Sequence, residues 1–110
     1  MTVNERQFKF TRMVWRLLQF AENNNLDLSA RELFRSKARQ VKLKALGKSK
    51  TFNSKHLDSL ALDVVLFRNG QPVWDSDDKD LVKLGEFWES LGGTWGGRWG
   101  WDGCHFEYKD

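Results

Sequence analysis

The run "LALDVVLF", residues 60–67, constrains the fold more than any other stretch of the chain. Alternate side chains of a strand point to opposite faces, so Asp63 shares one face with Ala61, Val65 and Phe67. Leu60, Leu62, Val64 and Leu66 line the other face. With both faces apolar, the strand belongs in the middle of a sheet. A carboxylate in its midst must then be compensated, because an unpaired buried charge is strongly destabilising. Three compensations are open: a salt bridge, a helix N-terminus or a metal ion. Arg68 is too near along the chain to fold back onto Asp63, which leaves the other basic residues.

The rest of the chain supplies elements to cover that strand. Residues 5–22 place Phe10, Val14, Leu17, Leu18 and Ala21 at helical spacing, and the Asn-rich "ENNNLD" stops the helix. An extended piece, "LDLSARELF", leads to a second helix in "SKARQVKLKAL", with Ser36 as N-cap and Gly47 just past its end. "GKSKTFNSK" reads as a polar loop, and "RNGQPVW" as a turn followed by a short strand. The acidic "DSDDKD" suits a helix start, and Leu81, Leu84, Phe87, Trp88 and Leu91 form the stripe of that helix. Calcium is the alternative for the acidic run, but the glycine and terminal glutamate of an EF-hand loop are missing. "GGTWGGRWGWDG" is an irregular loop with bulky anchors, and "CHFEY" a final strand. The expected fold is α+β: one domain over residues 1–110, with helices packed on a small, mainly antiparallel sheet.

Composition narrows the functional classes. Cys104 is the single cysteine, so neither an intrachain disulfide nor a Cys-rich zinc cage can form. No apolar run is long enough to insert into a membrane, and the N-terminus lacks a secretory signal, so synthesis in the cytoplasm is expected. Residues 1–55 carry 13 Lys/Arg against 4 Asp/Glu, whereas residues 56–110 carry 5 against 11. The basic half suits an anionic polymer, or the two halves neutralise each other on folding. No aromatic-rich nucleic-acid motif accompanies the basic residues, so nucleic acid is not expected as a partner.

The chemistry gathers around the chain's two histidines. His56 lies at the entry to the central strand, seven residues before Asp63, and "HLDS" must curve back if the two are to meet. His105 lies on the last strand, which can pair beside the strand of Asp63. Two histidines, one aspartate and an open fourth position make a donor set for catalytic zinc. The iron facial triad fits less well, because its His-x-Asp spacing is absent. Asp102 precedes His105 across a turn containing Gly103, and can serve there as a general acid/base. Singly, a strand-end histidine is more often surface or core, and Asp-Gly more often a plain turn. Only the combination points to a site.

These residues resemble a known family. "SKHLDSLALD" is similar to the Ser-x-His-(x)6-Asp motif of the D-alanyl-D-alanine carboxypeptidase and L-alanyl-D-glutamate peptidase family of zinc metallopeptidases. "DGCHFE" resembles its closing Asp/Glu-x-x-His motif. "LFRSKARQVKLKALGKSKTFNSKH" is similar to the segment that carries an Arg, a Gln and a Gly-Lys-Ser loop before the first ligand. "LGEFWESLGGTWGGRW" looks like the helix and Trp-Gly-Gly loop of the small phage endolysins. Ser59 and Cys104 depart from the pattern, where many relatives have Gly and Gly or Asn.

The resemblance implies a hedgehog/D-Ala-D-Ala peptidase-like fold and a Zn2+ ion held by His56, Asp63 and His105. It implies Asp102 as general acid/base, Arg35 polarising the substrate carbonyl and Ser54 orienting substrate or a ligand. It further implies a monomer that hydrolyses an amide in the stem peptide of bacterial peptidoglycan, most readily between L-Ala and D-Glu. The route to the wall is then a holin-type pore. Alternatives are a D,D-carboxypeptidase and a non-catalytic zinc-binding domain of the same fold. Trp15 and Trp88, on helical stripes, are expected in the core. So are at least two of Trp95, Trp99 and Trp101, the alternative being that they wall a substrate groove.

Overall fold

A computed structural model describes residues 1–49 and 54–110. Helix α1 spans Val3–Asn23, strand β1 Asp27–Glu32, helix α2 Lys37–Ala45, strand β2 Ala61–Arg68 and strand β3 Gln71–Val73. Helix α3 (Lys79–Ser90), strand β4 (Thr94–Trp95) and strand β5 (His105–Glu107) follow, with 3-10 turns over Lys55–Asp58 and Gly96–Trp99. The loop expected over residues 47–55 is described only at its ends; residues 50–53 lie outside the described residues. The segment read as an irregular Trp-Gly loop contains the short β4 and one of the 3-10 turns.

Helix boundaries follow local chemistry. Thr2 and Glu5 form a capping box at the start of α1, the Thr2 hydroxyl accepting from the Glu5 amide at 3.1 Å. Ser36 caps α2 as expected. The acidic run caps α3: Asp78 accepts from the amides of Asp80 and Leu81, and Arg68 pairs with both Asp78 and Asp80. Asn69 and Gly70 both adopt positive φ, which gives the β2–β3 hairpin the tight turn its twist requires.

The sheet order is β1-β2-β5-β4, all pairs antiparallel, with β3 also on β2. β2 is therefore central, as its two apolar faces demand. Helices α1 and α3 bury one face of the sheet. Leu62, Val64 and Leu66 of β2 and Phe106 of β5 meet Phe10, Met13 and Leu17 of α1 and Leu81, Leu84 and Trp88 of α3 there. Aromatic contacts tie the two helices together and to the sheet: Phe20 stacks on Phe87 at 4.2 Å, Trp88 meets Phe10 edge-on at 5.6 Å, and Trp88 meets Phe106 of β5 edge-on at 5.9 Å.

On α1 the expected core differs from the observed one. Trp15 is 65% exposed. The buried face of α1 runs through Phe10, Met13, Leu17 and Ala21, and Trp15 sits two residues, about 200° of rotation, from both Met13 and Leu17. Leu18, expected on the stripe, lies about 100° round the helix from Leu17 and is exposed as well.

Asp63 and its alternate neighbours face away from these helices. On that side the turn Lys55–Asp58 folds back toward β2, and Ser59 completes the reversal in a left-handed conformation, φ 56°. This is where relatives were read to carry glycine. A side chain there strains the backbone by about 1 kcal/mol. Ser59→Gly is therefore expected to stabilise the protein by up to about 1 kcal/mol in urea denaturation.

Candidate metal centre

His56 is fixed from both ends. Ser54 caps its turn, the hydroxyl accepting from the His56 amide at 3.2 Å, and the Arg35 amide donates to the His56 carbonyl. The imidazole is 1% exposed, and its Nδ1 lies 2.7 Å from the Leu33 carbonyl. A carbonyl can only accept, so Nδ1 carries the proton and Nε2 the lone pair. That Nε2 makes no hydrogen bond although it lies 3.3 Å from Asp63 Oδ1. It is a buried, orphaned acceptor aimed at a carboxylate.

His105 arrives by register. β5 pairs with β2 so that His105 stands directly across from Asp63, and Phe106 across from Leu62. Strand alternation then sends Phe106 into the core, and His105 and Glu107 to the site. His105 Nε2 donates to Glu107 Oε1 at 2.8 Å, and Nδ1 lies 3.1 Å from Asp63 Oδ1. With both outer hydrogen bonds made, two imidazole lone pairs converge on a carboxylate oxygen. Such a cluster needs a cation.

Without a metal, protons fill that need. Burial opposes a charge on His105, but the hydrogen bonds to Asp63 and Glu107 outweigh it and raise its pKa to about 9. Burial likewise works to raise the pKa of Asp63, yet the contacts with His105 and His56 hold it well below the usual carboxylate range. A divalent ion fits the same geometry. The 3.3 and 3.1 Å separations from Asp63 Oδ1 match the edge of about 3.4 Å expected when ligands sit roughly 2.1 Å from a tetrahedral ion. His56, Asp63 and His105 each offer one atom within 4.8 Å of the others.

Arg35 locks the site to β1. An irregularity between Ala30 and Glu32 shifts the β1–β2 register and sets Glu32 opposite Asp63. Two facing carboxylates repel, and Arg35 lies between them. Its Nε and Nη2 donate to Glu32 at 2.9 and 3.2 Å, its Nη1 to Gln40 at 2.8 Å, and Nη2 lies 3.7 Å from Asp63 Oδ2. The hydrogen bond from Arg35, opposed by burial, lowers the pKa of Glu32. Gln40 passes the network on to Ser49 at 2.8 Å.

Asp102 borders the same space. Its carbonyl accepts from the His105 amide at 3.1 Å, and the Cys104 thiol points to its Oδ1 at 3.7 Å. Gly96 is required here, because a Cβ would collide with the Asp102 carbonyl. Burial pushes the carboxyl pKa of Asp102 up, the positive His105 pulls it down and Asp63 adds to the rise. Burial, with Asp63 and Asp102 nearby, also lifts Cys104 to about 12, so the thiol stays protonated.

A cleft of about 650 Å³ opens onto these groups and is lined by Arg35, Ser54, His56, Asp63, Asp102 and His105, with Glu107 and the indoles of Trp99 and Trp101. Of the three tryptophans in the Gly-rich segment, only Trp95 is core, its indole N–H donating to the Gly103 carbonyl at 2.8 Å. Trp99 and Trp101 are 43% and 52% exposed, so the expectation that at least two plug the core fails. The space below the loop holds one indole, and Gly85 and Gly97 lie directly against that ring.

Sequence reasoning missed Glu107, Glu32 and the Leu33 carbonyl. Glu107 was findable, since it lies two residues beyond His105 on the same strand face. Glu107→Ala is expected to weaken metal binding about 10- to 100-fold, and Glu107→Gln, which keeps an acceptor, less. Competition with a chromophoric chelator measures both.

Comparison with known proteins bears on this arrangement. Residues 47–108 match the model of the D-alanyl-D-alanine carboxypeptidase family. Over 89 residues the chain is 33% identical to the L-alanyl-D-glutamate peptidase of Listeria phage A118, an alignment covering 76% of this chain and 30% of that protein. The chain thus spans less than a third of that relative's length. The crystal structure of Serratia marcescens L-Ala D-Glu endopeptidase ChiX is similar with a TM-score of 0.70 and 30% identity, covering 91% of this chain and 77% of that one. With the family match taking in more than half of its residues, the chain belongs to the D-alanyl-D-alanine carboxypeptidase family of metallopeptidases.

Proposed function

We propose that the chain is a zinc-dependent peptidoglycan peptidase of the endolysin type. It hydrolyses the amide between L-Ala and D-Glu in the stem peptide, with residues 1–110 as one catalytic domain. One observation carries this reading: His56 Nε2, His105 Nδ1 and the Asp63 carboxylate converge in a cleft that Asp102 also lines. The similarity to two enzymes named for L-Ala–D-Glu cleavage supports the choice of bond. The description of the family model favours a second reading, removal of a terminal D-Ala.

His56, Asp63 and His105 would hold the ion, with the Leu33 carbonyl and Glu107 fixing the imidazole orientations. A zinc ion bound there supplies Lewis acidity, lowering the pKa of water and polarising a carbonyl. Asp102 takes the proton of the attacking water and delivers it to the departing amine. Its raised pKa suits both steps. Arg35, held by Glu32 and Gln40 and with Nη2 also facing Asp63, has an Nη1 N–H to offer the carbonyl oxygen as it gains charge. Ser54 positions His56 through its cap. The partner is bacterial peptidoglycan, which the chain, a monomer, reaches from the host cytoplasm by a holin-type route. Nucleic acid has no part in this reading, and no described helix is long and apolar enough to cross a membrane.

Mass spectrometry of digested peptidoglycan tests the proposal. New amino termini on D-Glu are expected. Release of free D-Ala alone supports the second reading, and an unchanged wall rules out both.

A further inference from the structure

We propose that the outer face of α1 is a docking surface for an anionic lipid bilayer, on which the chain lies without spanning it. The inference stands on residues remote from the cleft and does not depend on the peptidase reading.

Helix α1 is apolar on two sides. Phe10, Met13, Leu17 and Ala21 face the core. Phe8 and Trp15 are 59% and 65% exposed. Their spacing of seven residues is about 20° short of two full turns and covers roughly 10 Å along the axis. They therefore form one ridge on the side opposite Leu17, and the exposed Leu18 flanks it. A shallow hollow beside Trp15, lined by Arg16, Gln19, Phe20, Asn23 and Phe87, extends this surface onto α3.

Charge decides what the ridge meets. Between Glu5 and Glu22 the helix carries Arg6, Lys9, Arg12 and Arg16 and no acidic residue. Arg6 pairs with Asp110, and Lys9 lies 6.0 Å over the ring of Tyr108. Among the described residues Arg12 and Arg16 are in no ion pair. Helical rotation sets both on one flank of the ridge, with Leu18 on the other. A second copy of this chain would bring the same positive excess to the contact, which opposes pairing. A hydrophilic anionic polymer answers the cations but leaves Phe8 and Leu18 in water. An anionic bilayer answers both: its head groups meet the cations while the rings enter the boundary with the acyl chains. Asp63 faces away from α1 and α3, so a chain resting on this ridge keeps its cleft on the far side of the sheet.

Flotation of the full chain with lipid vesicles tests the proposal. Vesicles of phosphatidylglycerol and phosphatidylcholine in equal parts should carry the chain upward, and phosphatidylcholine alone should not. Replacing Arg12 and Arg16 together by Gln should weaken binding about 25-fold, at about fivefold per cation. Trp15→Ala should weaken it about tenfold, and Arg12→Lys with Arg16→Lys should bind as the parent does. All these positions are exposed, so the melting temperature should stay that of the parent. Equal binding to both vesicles, or binding untouched by the paired Gln substitutions, would overturn the docking surface. So would retention on purified peptidoglycan or on DNA that those substitutions abolish, if the chain ignored vesicles; the face would then belong to a polymer.

Discussion

Asp102→Asn is expected to lower kcat/KM on stem-peptide substrates by about 10²- to 10⁴-fold, the usual contribution of a positioned general acid/base. The substitution is nearly isosteric, and the backbone bond from the His105 amide to the residue 102 carbonyl does not depend on the side chain. Asp102 is also outside the His56, Asp63 and His105 donor set, so bound zinc and thermal stability should stay close to those of the parent. An amide can neither accept the water's proton nor return one to the leaving amine. A variant that kept activity within a few-fold of the parent, zinc included, would remove Asp102 from the chemistry. It would also revive the idea of a fold that retains its ion without catalysing anything.

The second large effect concerns metal removal. The chelated protein should lose stability as pH rises from about 6.5 to about 9, while the zinc-loaded protein should not. The sign follows from linkage. The pKa of His105 is raised from 6.5 to about 9 in the folded chain. A group raised on folding contributes fully below its unfolded pKa and loses that contribution as pH climbs through the folded one. The difference corresponds to about 3 kcal/mol, shared with Asp63, whose lowered pKa reflects the same contact and adds nothing independent on this limb. Zinc displaces the proton, so its affinity should strengthen over the same interval. Urea denaturation at several pH values, with and without chelator, measures both. A flat profile in chelator would show that His105 is not held between Asp63 and Glu107 as described.

The parts of the site that could be read from the chain are those where burial physics leaves few options. A carboxylate within "LALDVVLF" has to be compensated wherever that strand lies, and a histidine on a strand able to pair beside it is an economical answer. The helix caps at Ser36 and Asp78 and the Asn69-Gly70 turn were legible because their requirements are local. Glu32 was hidden because only the irregularity in β1 sets it opposite Asp63. The Leu33 carbonyl carries no side-chain signature at all. Trp15 failed for another reason: α1 carries apolar residues on two sides, and periodicity cannot say which side meets the sheet. Trp99 and Trp101 failed because the room beneath a Gly-rich loop is a property of its neighbours. Among the described residues, ion pairs from Arg6 and Lys55 to Asp110 and from Arg35 to Asp63 join the basic and acidic halves, while those of Arg68 and Arg98 stay within the acidic one. Neutralisation between the halves is therefore partial.

The short pairing of β5 against β2 has a consequence for how loading and folding are coupled. A slip of one position would turn His105 toward the helices and deliver Phe106 to the polar side, exchanging every side chain between the two environments. An ion gripped by both strands would penalise that misalignment and so act as an alignment pin for a strand of three residues. Amide exchange at residues 105–107 should accordingly slow when the pin is in place, giving a report on occupancy that needs no substrate.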